Sequence, residues 1–147
     1  MTASAIDIHH HYVPQSLLEE AKKSGKHLGV ELVEKDGQQS LSFAGGPPFV
    51  LHPELPAIDE RLKMMTNSEL ALAALEAHTA TLGYRLSGEQ GENWCNVYND
   101  GIHELVKRYP DRFVGLASVP LQDPPRAAKV LERGLLLPGQ LLYFRNR

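Results

Sequence analysis

The sequence predicts an α/β fold in which a parallel sheet is covered by helices. Three observations carry that expectation. Short apolar runs, "AIDIHHH" and "DRFVGLASVP", are bounded by proline or charge, as strands of a covered sheet are. The stretches between them repeat apolar residues every three or four positions, which is one face of a helix. No segment recurs and none is of low complexity, so the 147 residues read as one domain.

Taken in order, "AIDIHHHYVP" alternates so that Ile6, Ile8 and His10 point to one side of a strand and Asp7, His9 and His11 to the other. Pro14 ends it. "PQSLLEEAKKSG" predicts a short helix with Leu17, Leu18 and Ala21 on one side, closed by Gly25. From Gly29 to Phe43 two strand-like runs flank Asp36-Gly37, a dipeptide suited to a two-residue hairpin turn because glycine accepts positive φ. "AGGPPFVLHPELP" reads as a loop of low charge that can lie against a pocket. "AIDERLKMM" then begins a helix, which the Ala/Leu-rich "SELALAALEAH" is expected to extend. Between Asn93 and Tyr109 a stripe that includes Trp94, Tyr98, Ile102 and Leu105 predicts another helix, stopped by Pro110. "DRFVGLASVP" is the next strand. Asp123 caps a last helix with Pro124 in its first turn, where a missing N–H costs nothing, and this helix runs to Gly134.

Composition narrows the function. With 42% hydrophobic and 22% charged residues of mixed sign, the chain has the make-up of a soluble globular domain. A net charge of −3 with scattered Lys and Arg offers no match to a phosphate backbone, so nucleic acid is not an expected partner. No apolar run approaches the roughly 20 residues that span a bilayer, and the N-terminus lacks the features of a signal peptide. No membrane partner is expected and the expected compartment is the cytoplasm. Cys95 is the lone cysteine, which excludes an intrachain disulfide and a Cys-based zinc site. A metal would have to be held by His and carboxylates.

Histidines at i and i+2 of a strand project to the same side, as converging ligands about 2 Å from a divalent cation must. His9 and His11 meet this requirement and His10 does not. At the C-terminal end of a parallel strand they would face the rim where α/β barrels assemble active sites. Asp7, on the same face, can hydrogen-bond a ligand imidazole. The competing reading is a set of solvated histidines at a strand end.

The D-x-H-x-H at residues 7–11, "HPELPAIDERLKMM" and "NWCNVYNDGIHELVKRYPDRFVGLASVPLQDP" occur in order and together resemble the amidohydrolase-related superfamily. The nearest branch is the decarboxylases typified by the aminocarboxymuconate-semialdehyde and resorcylate enzymes. Asn99 and Asp100, Tyr109 and Pro110, Arg112 and Phe113, and the run Pro120 to Pro124 carry the later part of the match. The resemblance implies a (β/α)₈ barrel, a divalent metal, expected to be zinc, held by His9 and His11 from strand 1, and a small carboxylic-acid substrate. It also implies that Lys35, before the hairpin turn, helps to hold an acidic substrate; the alternative is a solvated charge at a hairpin end.

A full barrel of this kind needs about 250 residues. The expected architecture is therefore the N-terminal half of a barrel with a small β-hairpin insertion, residues 1–147 forming one incomplete domain. Two stretches depart from the family's pattern: residues 66–92, where the apolar strand 2 is expected to be missing, and residues 134–147, where strand 4 should follow. A shifted reading frame or a misjoined exon is the expected cause. None of His27, His52, His78 and His103 falls at a matching strand end, so the isolated chain is expected to hold the metal weakly or not at all and to be inactive as a decarboxylase. Two alternatives stand beside this. One is a non-catalytic fragment that forms a homo-oligomer or docks on an intact homologue, because a half barrel leaves sheet edges open. The other is a stand-alone hydrolase that binds metal through His9, His11 and His52.

Overall fold

The computed structural model describes residues 5–55, 57–137 and 140–142, the last three as backbone. The elements are β1 (Ala5–His11), α1 (Gln15–Leu28), β2 (Val30–Lys35), β3 (Gln38–Phe43), β4 (Phe49–Val50), α2 (Ile58–Asn67), β5 (Leu70–Glu76), a 3₁₀ turn (Thr79–Thr81), α3 (Gly88–Arg108), β6 (Phe113–Ala117), α4 (Pro124–Leu135) and β7 (Gln140–Leu142). Strands β1, β5, β6 and β7 pair in that order, every pair parallel. Successive strands therefore lie side by side in chain order with helical crossovers between them, as in the wall of a (β/α)₈ barrel. Strands β2, β3 and β4 form a separate antiparallel sheet inserted after α1. Among the described residues no helix is long and apolar enough to cross a membrane.

The insertion turns where the sequence said it would. Asp36 and Gly37 both have positive φ, 52° and 76°, the geometry of a turn whose twist matches a hairpin, and Lys35 pairs with Gln38 across it. Helix α1, by contrast, does not stop at Gly25. It kinks at Ser24, continues to Leu28 and is capped by Gly29 in the left-handed region. Gly25 serves close packing instead: a Cβ there would stand 2.6 Å from the carbonyl oxygen of Val30.

The larger correction concerns residues 66–76. The helix ends at Asn67, and Glu69 takes a φ of 54°, which breaks the helical run before the Ala/Leu stretch begins. "LALAALE" then forms strand β5 between β1 and β6, with Ala73, Ala74 and Leu75 buried. A central strand covered on both faces is apolar throughout, so its spacing does not separate it from a buried helix, and burial overrides the helix propensity of alanine. The strand expected to be missing from residues 66–92 is present. So is a fourth parallel strand, β7, in the tail; residues 138–139 and 143–147 of that tail lie outside the described residues.

Helix α3 starts earlier than its apolar stripe, at Gly88, because Ser87 and Gln90 form a capping box. It lays Trp94, Tyr98 and Ile102 into the core beside Leu17, Leu75 and Phe113. Two residues of the family-like motif hold the scaffold. Asn99 bridges to the end of β6, donating to the Ser118 carbonyl at 2.9 Å and accepting from its N–H at 2.8 Å. Asp100 pairs with Arg133 of α4 at 2.7 Å. Asp123 caps α4 as its sequence indicated, accepting from the Arg126 N–H at 3.3 Å.

Candidate metal centre

Because β1 and β5 are parallel neighbours, both end at one rim, where His11 is in register with Glu76. Between Asp7 and His10, β1 carries one residue more than the facing stretch of β5, from Ala73 to Leu75. Such a bulge re-aims side chains. Asp7 accepts the His9 N–H at 3.0 Å and lies 2.6 Å from Nδ1 of His10. Asp7 thus fixes the backbone of one histidine and the ring of the next, rather than a ligand ring. His10, expected to stand apart on the far face, is buried and tied to Asp7.

His9 and His11 stand together, their rings edge to face with centroids 4.7 Å apart. Glu76 meets both: its Oε1 contacts Nδ1 of His9 and lies 3.6 Å from Nε2 of His11. Glu76 is 2% exposed, whereas the side chain of His9 is 59% exposed and that of His11 28%. One side of the cluster is therefore fixed in the core while the other is open to solvent. One donor atom from each of His9, His11 and Glu76 lies within 4.8 Å of the others. Two imidazole nitrogens and a carboxylate oxygen are a donor set that divalent zinc takes in catalytic centres, and donors about 2 Å from one ion stand roughly 3–4 Å apart. These residues fit a divalent cation.

His78 follows two residues after Glu76. Its Nδ1 accepts the N–H of Ala80 at 3.2 Å, which places the ring proton on Nε2. Burial pushes its pKa below the ordinary imidazole value, keeping the ring neutral. The ring stands edge-on to His11 with centroids 4.7 Å apart and is stacked on Phe49 at 4.8 Å. The inserted sheet is thereby pinned to the rim that carries the His9–His11–Glu76 cluster.

Of the residues singled out by sequence, His9 and His11 converge. Lys35 stands exposed at the hairpin turn, outside the cluster. His52 is exposed in a loop, 3.8 Å from a Glu54 oxygen, and is also outside it; Glu76 occupies the place that reading gave to His52. His27 lies in the last turn of α1 and His103 within α3. Glu76 and His78 were missed because their segment read as helix. The available signal was an apolar run closing on a single acid.

No protein-family model matches the chain. It is 24% identical over 140 residues to the 2-amino-3-carboxymuconate-6-semialdehyde decarboxylase of Caenorhabditis elegans, covering 95% of this chain and 33% of that protein. It is 33% identical over 75 residues to the gamma-resorcylate decarboxylase of Rhodococcus jostii, covering 51% of this chain and 23% of that one. It superposes with a TM-score of 0.68 and 21% identity on a dihydroxybenzoic acid decarboxylase from a Polaromonas species, crystallised with manganese and the inhibitor 2-nitroresorcinol. The chain resembles the amidohydrolase-related decarboxylases. That superposition covers 97% of this chain and 38% of the Polaromonas decarboxylase, so the chain has the fold of part of such a barrel. It spans a third or less of the length of the two decarboxylases it matches in sequence.

Proposed function

We propose that the chain is the N-terminal portion of a metal-dependent decarboxylase or hydrolase acting on a small aromatic carboxylic acid, with residues 1–147 forming a single incomplete barrel domain. The observation that carries this reading is the convergence of His9, His11 and Glu76 at the shared end of two parallel strands. The names of its relatives supply the reaction class, and the manganese in the Polaromonas structure makes manganese as well as zinc a candidate ion.

His9 and His11 would hold the ion through their imidazole nitrogens, and Glu76 would supply the buried carboxylate. An ion held there would supply stabilisation of negative charge on substrate oxygens. Asp7 keeps the bulge in place by accepting the His9 N–H. His78 presents an Nε2 proton beside His11, and Phe49 stacks on the His78 ring. Lys35 is assigned to an acidic substrate from the hairpin tip. Its cross-strand partner Gln38 lies three residues along β3 from the Leu41–Phe49 pair, a span of about 10 Å. The proposed compartment is the cytoplasm.

Three protein donors from two adjacent strands are expected to bind metal without turnover by this chain alone. The test is release of CO₂ from 2,6-dihydroxybenzoate by the purified chain supplied with Mn²⁺ or Zn²⁺. Metal uptake with no metal-dependent CO₂ is the expected result. Turnover by the chain alone would overturn the incompleteness, and failure to take up either ion would overturn the metal centre. A second reading, a non-catalytic partner that self-associates, is favoured by the outer edge of β1, where Ile6 and Ile8 are 60% and 79% exposed. Light scattering decides it: a monodisperse monomer would exclude self-association.

A further inference from the structure

Beside the Phe49–His78 stack, a groove of about 380 Å³ separates the loop leading into β4 from the 79–85 segment. Pro47, Pro48, Phe49 and Tyr84 give it flat, largely apolar walls. Among the described residues its single charged lining residue is Arg85, and no Asp or Glu lines it. Among the described residues no ion pair reaches Arg85. Its guanidinium lies along Gly46, where a Cβ would come 3.1 Å from Nη1, so the glycine leaves room for the cation at the groove wall.

We propose that this groove is a recognition subsite for an aromatic carboxylic acid, its ring held between the Pro47–Phe49 edge and Tyr84 and its carboxylate paired with Arg85. The class of ligand rests on the proposed function; the site itself needs no metal. Charge and shape both point this way. A guanidinium presents a planar fork that accepts a carboxylate through two parallel hydrogen bonds, and it does so more strongly beside apolar walls than in open water. The volume falls within the range of small-ligand sites, about 300–1,000 Å³. Continuity ties the groove to the metal centre. Phe49 both lines the groove and stacks on His78, and Thr79 and Ala80, which also line it, follow His78 directly.

The groove carries its own reporter. Gly83, on the groove surface, has a φ of 70°, and a Cβ there would stand 2.9 Å from Cδ1 of Trp94, the single tryptophan of the chain. Titration of the purified chain with benzoate, followed by Trp94 emission, is therefore a direct assay. Benzamide serves as the uncharged probe of the same shape. The expected result is saturable binding of benzoate, at least tenfold weaker binding of benzamide, and at least a tenfold loss of benzoate affinity in Arg85→Gln with an unchanged melting temperature. Equal affinity for benzoate and benzamide, or an Arg85→Gln chain that binds benzoate as the parent does, would overturn the subsite. The titration is run in EDTA and again with Mn²⁺. Binding undiminished in EDTA supports the groove. Binding seen only with Mn²⁺ would place the acid on the metal centre, overturning the subsite while leaving the metal reading intact.

Discussion

Two buried glutamates, one on a helix and one at the end of a strand, are compensated in different ways. Glu92, on α3, is met by cations from α4: Lys129 lies 2.6 Å from one oxygen and Arg126 2.5 Å from the other. Those hydrogen bonds hold its carboxyl below the usual range. Glu76, at the end of β5, is met by His9 and His11. Lysine and arginine carry permanent charge at neutral pH, whereas an imidazole nitrogen is also a metal ligand. A buried carboxylate is costly without positive charge nearby. Glu92 is a finished structural ion pair that ties two helices together. Glu76 faces imidazoles at an open rim, in the donor set proposed to hold a cation.

Three substitutions test how far that contrast holds. The largest effect is expected from Leu75→Ala, which empties a fully buried position in the strand that seats Glu76. A loss of about 2–5 kcal/mol in denaturant unfolding is expected, with weakened metal uptake alongside it. A loss under about 0.5 kcal/mol, the scale of a surface change, would mean that β5 is not the central strand described.

Glu92→Gln is expected to lower stability less than this and to leave metal affinity unchanged. The pH dependence identifies its cause. A carboxyl whose pKa falls on folding stabilises the fold above its unfolded value of about 4.3, and that contribution is lost as pH drops through the lower folded value. The acid limb of the stability curve should therefore be shallower in Glu92→Gln than in the parent. Parallel limbs would show that the Lys129 and Arg126 contacts do not form in solution.

The smallest effect belongs to Ile8→Ala on the outer edge of β1. Ile8 is 79% exposed, so stability should change by no more than about 0.5 kcal/mol and metal uptake should not change. A larger loss would show that this edge is covered in solution by another copy of the chain.

In the candidate site, the pairing of His9 with His11 was legible in the sequence and the place of Glu76 was not. His9 and His11 could be paired from alternation alone, and the bulge left the two rings together. The hairpin was equally clear, because Asp36-Gly37 carries its turn geometry in its own residue types, and the Asp123 cap likewise. Residues 70–76 carry no such local mark. Both faces of β5 are covered, so polar alternation is absent, and its alanines favour helix as an isolated peptide would. Only the neighbours β1 and β6 make it a strand. Glu76 and His78 were hidden with it, since a residue two steps beyond an unseen strand has no visible address. Gly25 follows the same logic: its role is set by Val30, which helix-end chemistry does not register.

The measurement that bears most directly on this account is calorimetric titration of the purified chain and of Glu76→Gln with Mn²⁺ and Zn²⁺. The account predicts one ion per chain for the parent. It also predicts at least a tenfold weaker affinity, about 1.4 kcal/mol, for Glu76→Gln, whose fold should remain intact by circular dichroism. Equal affinity in the two chains would contradict a centre built from His9, His11 and Glu76.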